Sequence, residues 1–204
     1  ILKGGLFDGK FTFYGDFVRQ AIYNESATLD TLKEFTFFAQ KRLTINCRNT
    51  LYIGNELINI TGYEDKKYRL KITGEPVDFY VCNSAEEQSK KLIDCVKELK
   101  KKGFKSTVIM VLSANRREKS IINLCDREKF IIGNYGEDPD AYFAMFSTVQ
   151  SFKGLESEIV ILVDVDDYAD VKLMYIALSR ARSKLIVLET ERASKQRKKL
   201  LLKG

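Results

Sequence analysis

Four short segments of the chain gather side chains that bind anions or hydrogen-bond a polymer backbone. In Leu43-Thr44-Ile45-Asn46-Cys47-Arg48-Asn49-Thr50, a β-prone run ends in Asn46 and Arg48, directly ahead of a helical pattern. A guanidinium in that place is a planar, permanently charged fork that suits phosphate oxygens. In Leu173-Met174-Tyr175-Ile176-Ala177-Leu178-Ser179-Arg180-Ala181, Arg180 stands near one end of a largely apolar helix, where the next strand begins. The stretch Phe146 to Glu156 spaces Thr148, Gln150 and Lys153 along a loop, a pattern suited to a nucleic-acid backbone. Within it, Gly154 would let the main chain approach a ligand closely, and Glu156 would accept a hydrogen bond from a sugar hydroxyl. Near the start, Asp16, Arg19 and Gln20 stand just past a short strand, where a doubly wound sheet presents groups to a phosphate. Taken singly, most have plainer readings: a solvated turn Asp, a capping Asn, a surface Arg or a snorkelling one. The Thr148 to Glu156 string is the hardest to explain that way.

These groups need a frame, and the chain reads as alternating strand and helix. Strands are expected at Phe11 to Tyr14, Leu43 to Asn46, Val77 to Val81, Thr107 to Leu112, Phe143 to Phe146, Ile159 to Val163 and Lys184 to Leu188. Helices are expected from Thr50 to Ile60, from Ser84 to the Lys100-Lys101-Lys102 turn before Gly103, from Glu118 to Cys125 and from Val171 to Ala181. Ser84-Ala85-Glu86-Glu87 has the capping-box form, in which Ser and Glu satisfy orphan amides at a helix start. The apolar run Thr107 to Leu112 suits a buried parallel strand. The alternation predicts an α/β fold, a mostly parallel sheet with helices on both faces. Functional groups are then expected beyond the carboxyl ends of the strands. Val163-Asp164-Val165-Asp166-Asp167 reads as a solvated strand end and not a magnesium site.

Composition narrows the chemistry. The chain has 204 residues with 34 Lys or Arg, 28 Asp or Glu and no His, a formal charge of +6. Without His it builds no Ser-His-Asp triad, no Cys-His pair and no His-ligated zinc site. Cys47, Cys82, Cys95 and Cys125 lie far apart with no C-x-x-C pair, so they read as thiols in a reducing cytosol. No apolar run approaches the roughly 20 residues that span a bilayer. A cytoplasmic location in a bacterium or archaeon, with no membrane partner, is the expectation. The first residue is not Met, which reads as processing or as a piece of a longer chain.

Taken together and in order, the four segments resemble the C-terminal half of superfamily 1 helicases, the UvrD/Rep-like ATP-driven nucleic-acid translocases. Leu173 to Ala181 looks like motif VI, and Thr148 to Glu156 like motif V. Leu43 to Asn49 is similar to motif IV, and Gly15-Asp16 through Gln20 to Tyr23 to motif III. The resemblance implies a RecA-like domain of the P-loop NTPase type, with ATP held between two such domains. It implies Arg48 and Arg180 as arginine fingers and Gln20 as a γ-phosphate sensor beside Asp16. Gly154 and Glu156 would lie near the ribose, and Thr148, Gln150 and Lys153 on a single strand, DNA in preference to RNA. Phosphoryl transfer needs positioning and cationic stabilisation, which a chain without His can supply.

The chain departs from the family pattern in four places. One extra residue separates Asp16 from Gln20, so Arg19 shares the sensor's space. Cys47 stands where relatives place an adenine-stacking Tyr, and Gln150 where many have His. There is no G-x-x-x-x-G-K-[ST] phosphate loop and no Walker B segment before Gly15. The Mg²⁺ ligands are therefore expected upstream, in an N-terminal RecA-like partner domain, and the chain alone is not expected to hydrolyse ATP. Residues 1–30 would end the first RecA-like domain, 31–190 form the second, and 191–204 make a basic tail or helix. The alternative is a non-motor nucleic-acid-binding or scaffold module with a degenerate RecA-like fold.

Overall fold

Apolar runs become the centre of a parallel sheet. The computed structural model describes residues 45–63, 67–68, 72–127, 129–130 and 132–202. Asp16, Gln20 and the whole 1–30 unit lie outside the described residues. The strands are β1 (Ile45–Asn46), β2 (Lys67–Tyr68), β3 (Asp78–Cys82), β4 (Ile109–Ser113), β5 (Gly133–Asn134), β6 (Met145–Thr148), β7 (Ser157–Val165) and β8 (Ala181–Thr190). The helices are α1 (Leu51–Thr61), α2 (Ala85–Lys101), α3 (Ile122–Arg127), α4 (Val171–Leu178) and α5 (Glu191–Leu201). Six strands form one sheet in the order β3-β8-β7-β4-β6-β5, and every pairing in it is parallel. β1 and β2 pair separately.

Strand periodicity sends alternate side chains to opposite faces. Met110, Leu112, Val160, Leu162, Leu185 and Val187 join one core with α1, α4 and Phe152. Ile109, Val111, Ile159, Ile161, Val163, Ile186 and Leu188 join the other with α2 and α3. All five residues of β4 are buried, because helices cover both of its faces. The expectation of a mostly parallel sheet with helices on both faces therefore holds.

Local signals explain the helix ends. Ser84 Oγ accepts the Glu87 amide at 3.1 Å, and Glu87 Oε2 accepts the Asn83 amide at 2.7 Å. This is a capping box in which Glu reaches one residue further back. Two expected helices are shorter in the structure. The one expected from Glu118 begins as a 3₁₀ turn, Arg117–Lys119, and becomes α3 only at Ile122. The one expected to reach Ala181 stops at Leu178, and Ala181 is instead the first residue of β8. Its carbonyl is taken by a distant Asn side chain, so tertiary bonding overrides the helical period there.

Asp164 corrects a further expectation. It is not a solvated strand end. Its carboxylate accepts Ser113 Oγ at 2.5 Å and the Ile121 amide at 3.2 Å, while its own amide donates to Gln88 Oε1 at 2.8 Å. The register of β7 against β8 slips by one residue between Leu162 and Val165, and Asp164 has φ 59°. A bulge thus turns this Asp to tie β4, β7 and the start of α3 together. No group of three or more His, Cys, Asp or Glu among the described residues is placed to hold a metal ion. No helix among them is long and apolar enough to cross a membrane.

Cys47 is exposed, whereas Cys82, Cys95 and Cys125 are buried. Burial pushes the Cys95 thiol up to about 11. We expect one of the four thiols to react with Ellman's reagent at pH 8 within seconds, and the other three only on unfolding. Rapid release of two or more equivalents from folded protein would contradict this burial.

Candidate functional site

The turn before α1 is built on Asn46. Its Oδ1 accepts the amides of Arg48 at 2.9 Å and Asn49 at 3.2 Å, and its Nδ2 donates to Asn49 Oδ1 at 3.0 Å. Asn49, buried, then donates through Nδ2 to the carbonyls of Ser179 at 3.2 Å and Ala181 at 2.6 Å. The Thr50 amide donates to the Arg182 carbonyl at 3.3 Å. Gly74, with φ 75°, lies over Thr50, and a Cβ there would come within 2.5 Å of the Thr50 Cβ. These bonds clamp the Arg48 turn onto the junction between α4 and β8, which carries Arg180.

Arg48, Glu156 and Arg182 consequently meet, and Arg180 bonds the Leu155 carbonyl next to Glu156. Arg48 Nε donates to Glu156 Oε2 at 2.6 Å, and Arg182 Nε lies 3.7 Å from Glu156 Oε1. The three side chains of these pairs are 33%, 41% and 55% exposed for Arg48, Glu156 and Arg182. Ion pairs this exposed contribute about 0–1 kcal/mol, so Arg48 is released at little cost. One extra residue in β8, between the pairs Ser157–Ala181 and Ile159–Lys184, bulges the strand at Arg182 and Ser183. Arg182 faces solvent while Ser183 bonds Glu158.

Arg180 is not a snorkelling surface Arg, being only 1% exposed. Its Nε donates to the Ile176 carbonyl, its Nη1 to the Leu155 carbonyl and its Nη2 to Ser179 Oγ, each at 2.9 Å. Burial first, and the nearby charge of Arg48 second, push its pKa down to about 10, which leaves it charged at neutral pH. Two guanidinium groups on one carboxylate, with a third bonded to the adjoining Leu155 carbonyl, leave an excess of positive charge, a setting that attracts an anion.

This cluster lies at the amino ends of β7 and β8, because Glu156 precedes β7 and Arg180 precedes β8. The expectation that the groups collect beyond the carboxyl ends fails for it. The reason is that Arg180 and Glu156 sit on connections entering their strands. Thr148, by contrast, is at the carboxyl end of β6. Its Oγ1 accepts the Ser151 amide at 3.1 Å and donates to Ser151 Oγ at 2.9 Å. The Phe152 amide donates to the Thr148 carbonyl at 3.0 Å, and that of Lys153 to the Gln150 carbonyl at 3.2 Å. Lys153 is exposed and Gln150 half-buried. Gly154 has φ 88°, yet a Cβ there would meet open space, so its backbone angle and not crowding requires glycine. The site residues therefore form two groups: Glu156 and Arg180, with Arg48, at the amino ends of β7 and β8, and Thr148 with its loop at the carboxyl end of β6.

Arg182 and Asn49 have parts in this arrangement that were not read from sequence. An Arg two residues after Arg180 was the available signal for the first. The long reach of Asn49 has no local signal.

The UvrD-like helicase C-terminal domain family matches residues 143–188, a stretch containing Thr148, Glu156, Arg180 and Arg182. The resemblance to UvrD/Rep-like helicase C-terminal domains read from the motifs is borne out there. No curated protein matches the chain. Among solved structures, the C-terminal domain of a possible DNA helicase from Lactobacillus plantarum WCFS1 is similar at TM-score 0.56 and 13% identity. The match covers 76% of this chain and 96% of that one. At that identity the likeness establishes a shared fold. The helicase of PRRSV is matched at TM-score 0.42 and 16% identity, over 76% of this chain and 25% of that one.

Proposed function

We propose that this chain supplies the second RecA-like domain of an ATP-dependent helicase or translocase that moves on single-stranded nucleic acid, DNA before RNA. On this reading residues 31–190 form that domain, 191–204 extend it as a helix, and 1–30 end the first. The observation that carries the proposal is the pairing of Arg48 and Arg182 with Glu156, next to the buried Arg180 that bonds the Leu155 carbonyl. An excess of guanidinium charge fits the polyphosphate of ATP with Mg²⁺, whose metal ligands and phosphate loop belong to an N-terminal partner domain. Bound ATP would supply the phosphoryl group whose transfer to water drives movement. Arg48 would leave its weak pair with Glu156 and turn to the phosphates. Arg180 would hold the α4–β8 junction and present its two remaining N–H groups. Thr148, Gln150 and Lys153 would contact the strand at the carboxyl end of β6.

A non-motor nucleic-acid-binding or scaffold module is the second reading. It is favoured by the burial of Arg180, whose guanidinium is spent on the protein's own backbone. The test is ATP turnover by the full-length protein with and without a single-stranded oligonucleotide. Replacing a finger costs about 10³-fold or more in kcat. We expect Arg48→Ala, at a half-exposed residue, to do so with the melting temperature unchanged. Full-length protein without stimulated turnover would favour the scaffold, and normal turnover by Arg48→Ala would remove Arg48 from the site.

A further inference from the structure

The turn that follows β5 carries an aromatic ring that nothing above uses. Tyr135 is 53% exposed. Exposure alone assigns it nothing; its setting does. Its position is fixed on all sides. The Tyr135 amide donates to the Phe146 carbonyl at 2.7 Å, so the residue is bound to β6 just before Thr148. The Asn134 amide and Nδ2 donate to the Glu137 carboxylate at 3.0 and 2.8 Å, and the Glu137 amide donates back to the Asn134 carbonyl at 3.1 Å. Arg117 Nη1 donates to Asn134 Oδ1 at 3.2 Å. Gly136, with φ 100°, completes the tight turn. The Tyr135 ring meets Phe152 at 5.3 Å between centroids and an interplanar angle of 87°, while Phe152 itself is 1% exposed.

The loop that supplies Phe152 also carries Thr148, Gln150, Ser151 and Lys153. A rigid, half-exposed aromatic therefore stands beside hydroxyl, amide and ammonium groups. That combination is what an unpaired nucleotide requires: a flat apolar face for the base and donors for the adjoining phosphate and sugar. The neighbouring Glu137 carboxylate is turned onto Asn134, whose bonds lower its pKa and keep it ionised, so the strand's phosphates must lie on the Lys153 side of the ring. We infer that Tyr135 is a base-stacking contact for single-stranded nucleic acid, working with the Thr148 to Lys153 loop at the carboxyl edge of β6. The inference rests on the nucleic-acid reading above and adds the contact that holds the base.

Stacking on a protein aromatic contributes about 1–3 kcal/mol per base, a factor of roughly 5 to 150 in affinity. The experiment is anisotropy titration of the 204-residue chain with fluorescein-labelled oligothymidylate and with an abasic oligonucleotide of equal length. Tyr135→Ala is expected to weaken oligothymidylate binding by at least fivefold, Tyr135→Phe by less than twofold, and neither to change abasic binding. A 2-aminopurine base in the strand is expected to be quenched by wild type and not by Tyr135→Ala. Circular dichroism confirms that the variant is folded, which its exposure favours. Oligothymidylate binding by folded Tyr135→Ala equal to wild type overturns the stacking contact alone. Wild type that binds neither oligonucleotide overturns the nucleic-acid reading itself, and the contact with it.

Discussion

Arg180→Ala is expected to lower the unfolding free energy of this domain by about 2–4 kcal/mol, and to leave the full-length protein without measurable ATP turnover. Both effects come from one guanidinium. Its removal leaves the Ile176 and Leu155 carbonyls and Ser179 Oγ without the donor each now has. A buried polar group stripped of its partner costs about 1–3 kcal/mol, and the emptied volume adds to it. Loss of the repulsion between Arg48 and Arg180 returns part of that cost, which is why the net figure is well below the sum. Arg180→Lys separates the two roles. A single ammonium keeps the charge but cannot span three acceptors in a fixed fork. It is expected to regain part of the stability and little of the turnover. Urea unfolding followed by circular dichroism reads the first effect, and turnover well below the unfolding transition reads the second. An unchanged urea midpoint for Arg180→Ala would show that the three hydrogen bonds do not hold the junction. Normal turnover in a folded variant would take Arg180 out of the site.

That expectation differs from the plain sequence reading of Arg180 as a snorkelling surface side chain, whose loss would spare the fold. The difference shows where the sequence is legible. Strand and helix alternation is a periodic signal, so the parallel sheet with its two helical layers was readable from Leu92, Val96 and Leu99 or from the run through Ile109 to Leu112. The Arg-bearing segments were readable as ordered motifs. The direction in which Arg180 points was not. Its burial depends on the Leu155 carbonyl, 25 residues away, and on Asn49, 130 residues from Ser179. Long-range bonds of this kind leave no periodic trace in the chain. The same holds for Asp164, whose neighbours Val163, Val165, Asp166 and Asp167 suggest a solvated acidic end. Only the bulge in β7 turns it onto Ser113 and Ile121. Edge placement also escaped, because a strand pattern does not say whether a motif sits on the connection entering a strand or leaving it.

The basic C-terminal segment carries the other large effect. From sequence, residues 191–204 read as a basic tail or helix. In the structure Arg197 is turned inward. Its Nη2 lies 2.7 Å from Glu189 Oε1, and its Nε donates to both carboxylate oxygens at 3.3 and 3.1 Å. Glu189 is 0% exposed and also accepts the Tyr168 hydroxyl at 2.6 Å. Burial first, then this carboxylate, push the Tyr168 phenol far above its usual range, so it remains a donor. The guanidinium also lies 3.6 Å over the Phe79 ring of β3, joining α5 to the sheet. Arg197→Met keeps the apolar stem and strips the partner from a buried carboxylate. Breaking a buried pair from one side costs about 3–5 kcal/mol. At roughly 2–4 °C per kcal/mol for a domain of this size, the melting temperature should fall by about 6–20 °C. Replacing both partners, Glu189→Leu with Arg197→Met, removes the orphaned charge as well. It is expected to recover most of the loss, because a buried pair is worth little against apolar side chains of similar volume. Tyr168→Phe in the double variant then costs little, whereas in the wild type it costs about 1–3 kcal/mol. Thermal unfolding of wild type and the four variants decides the matter. A melting temperature for Arg197→Met within 2 °C of wild type would mean that Glu189 finds another partner or water, and that α5 is held by its apolar face alone.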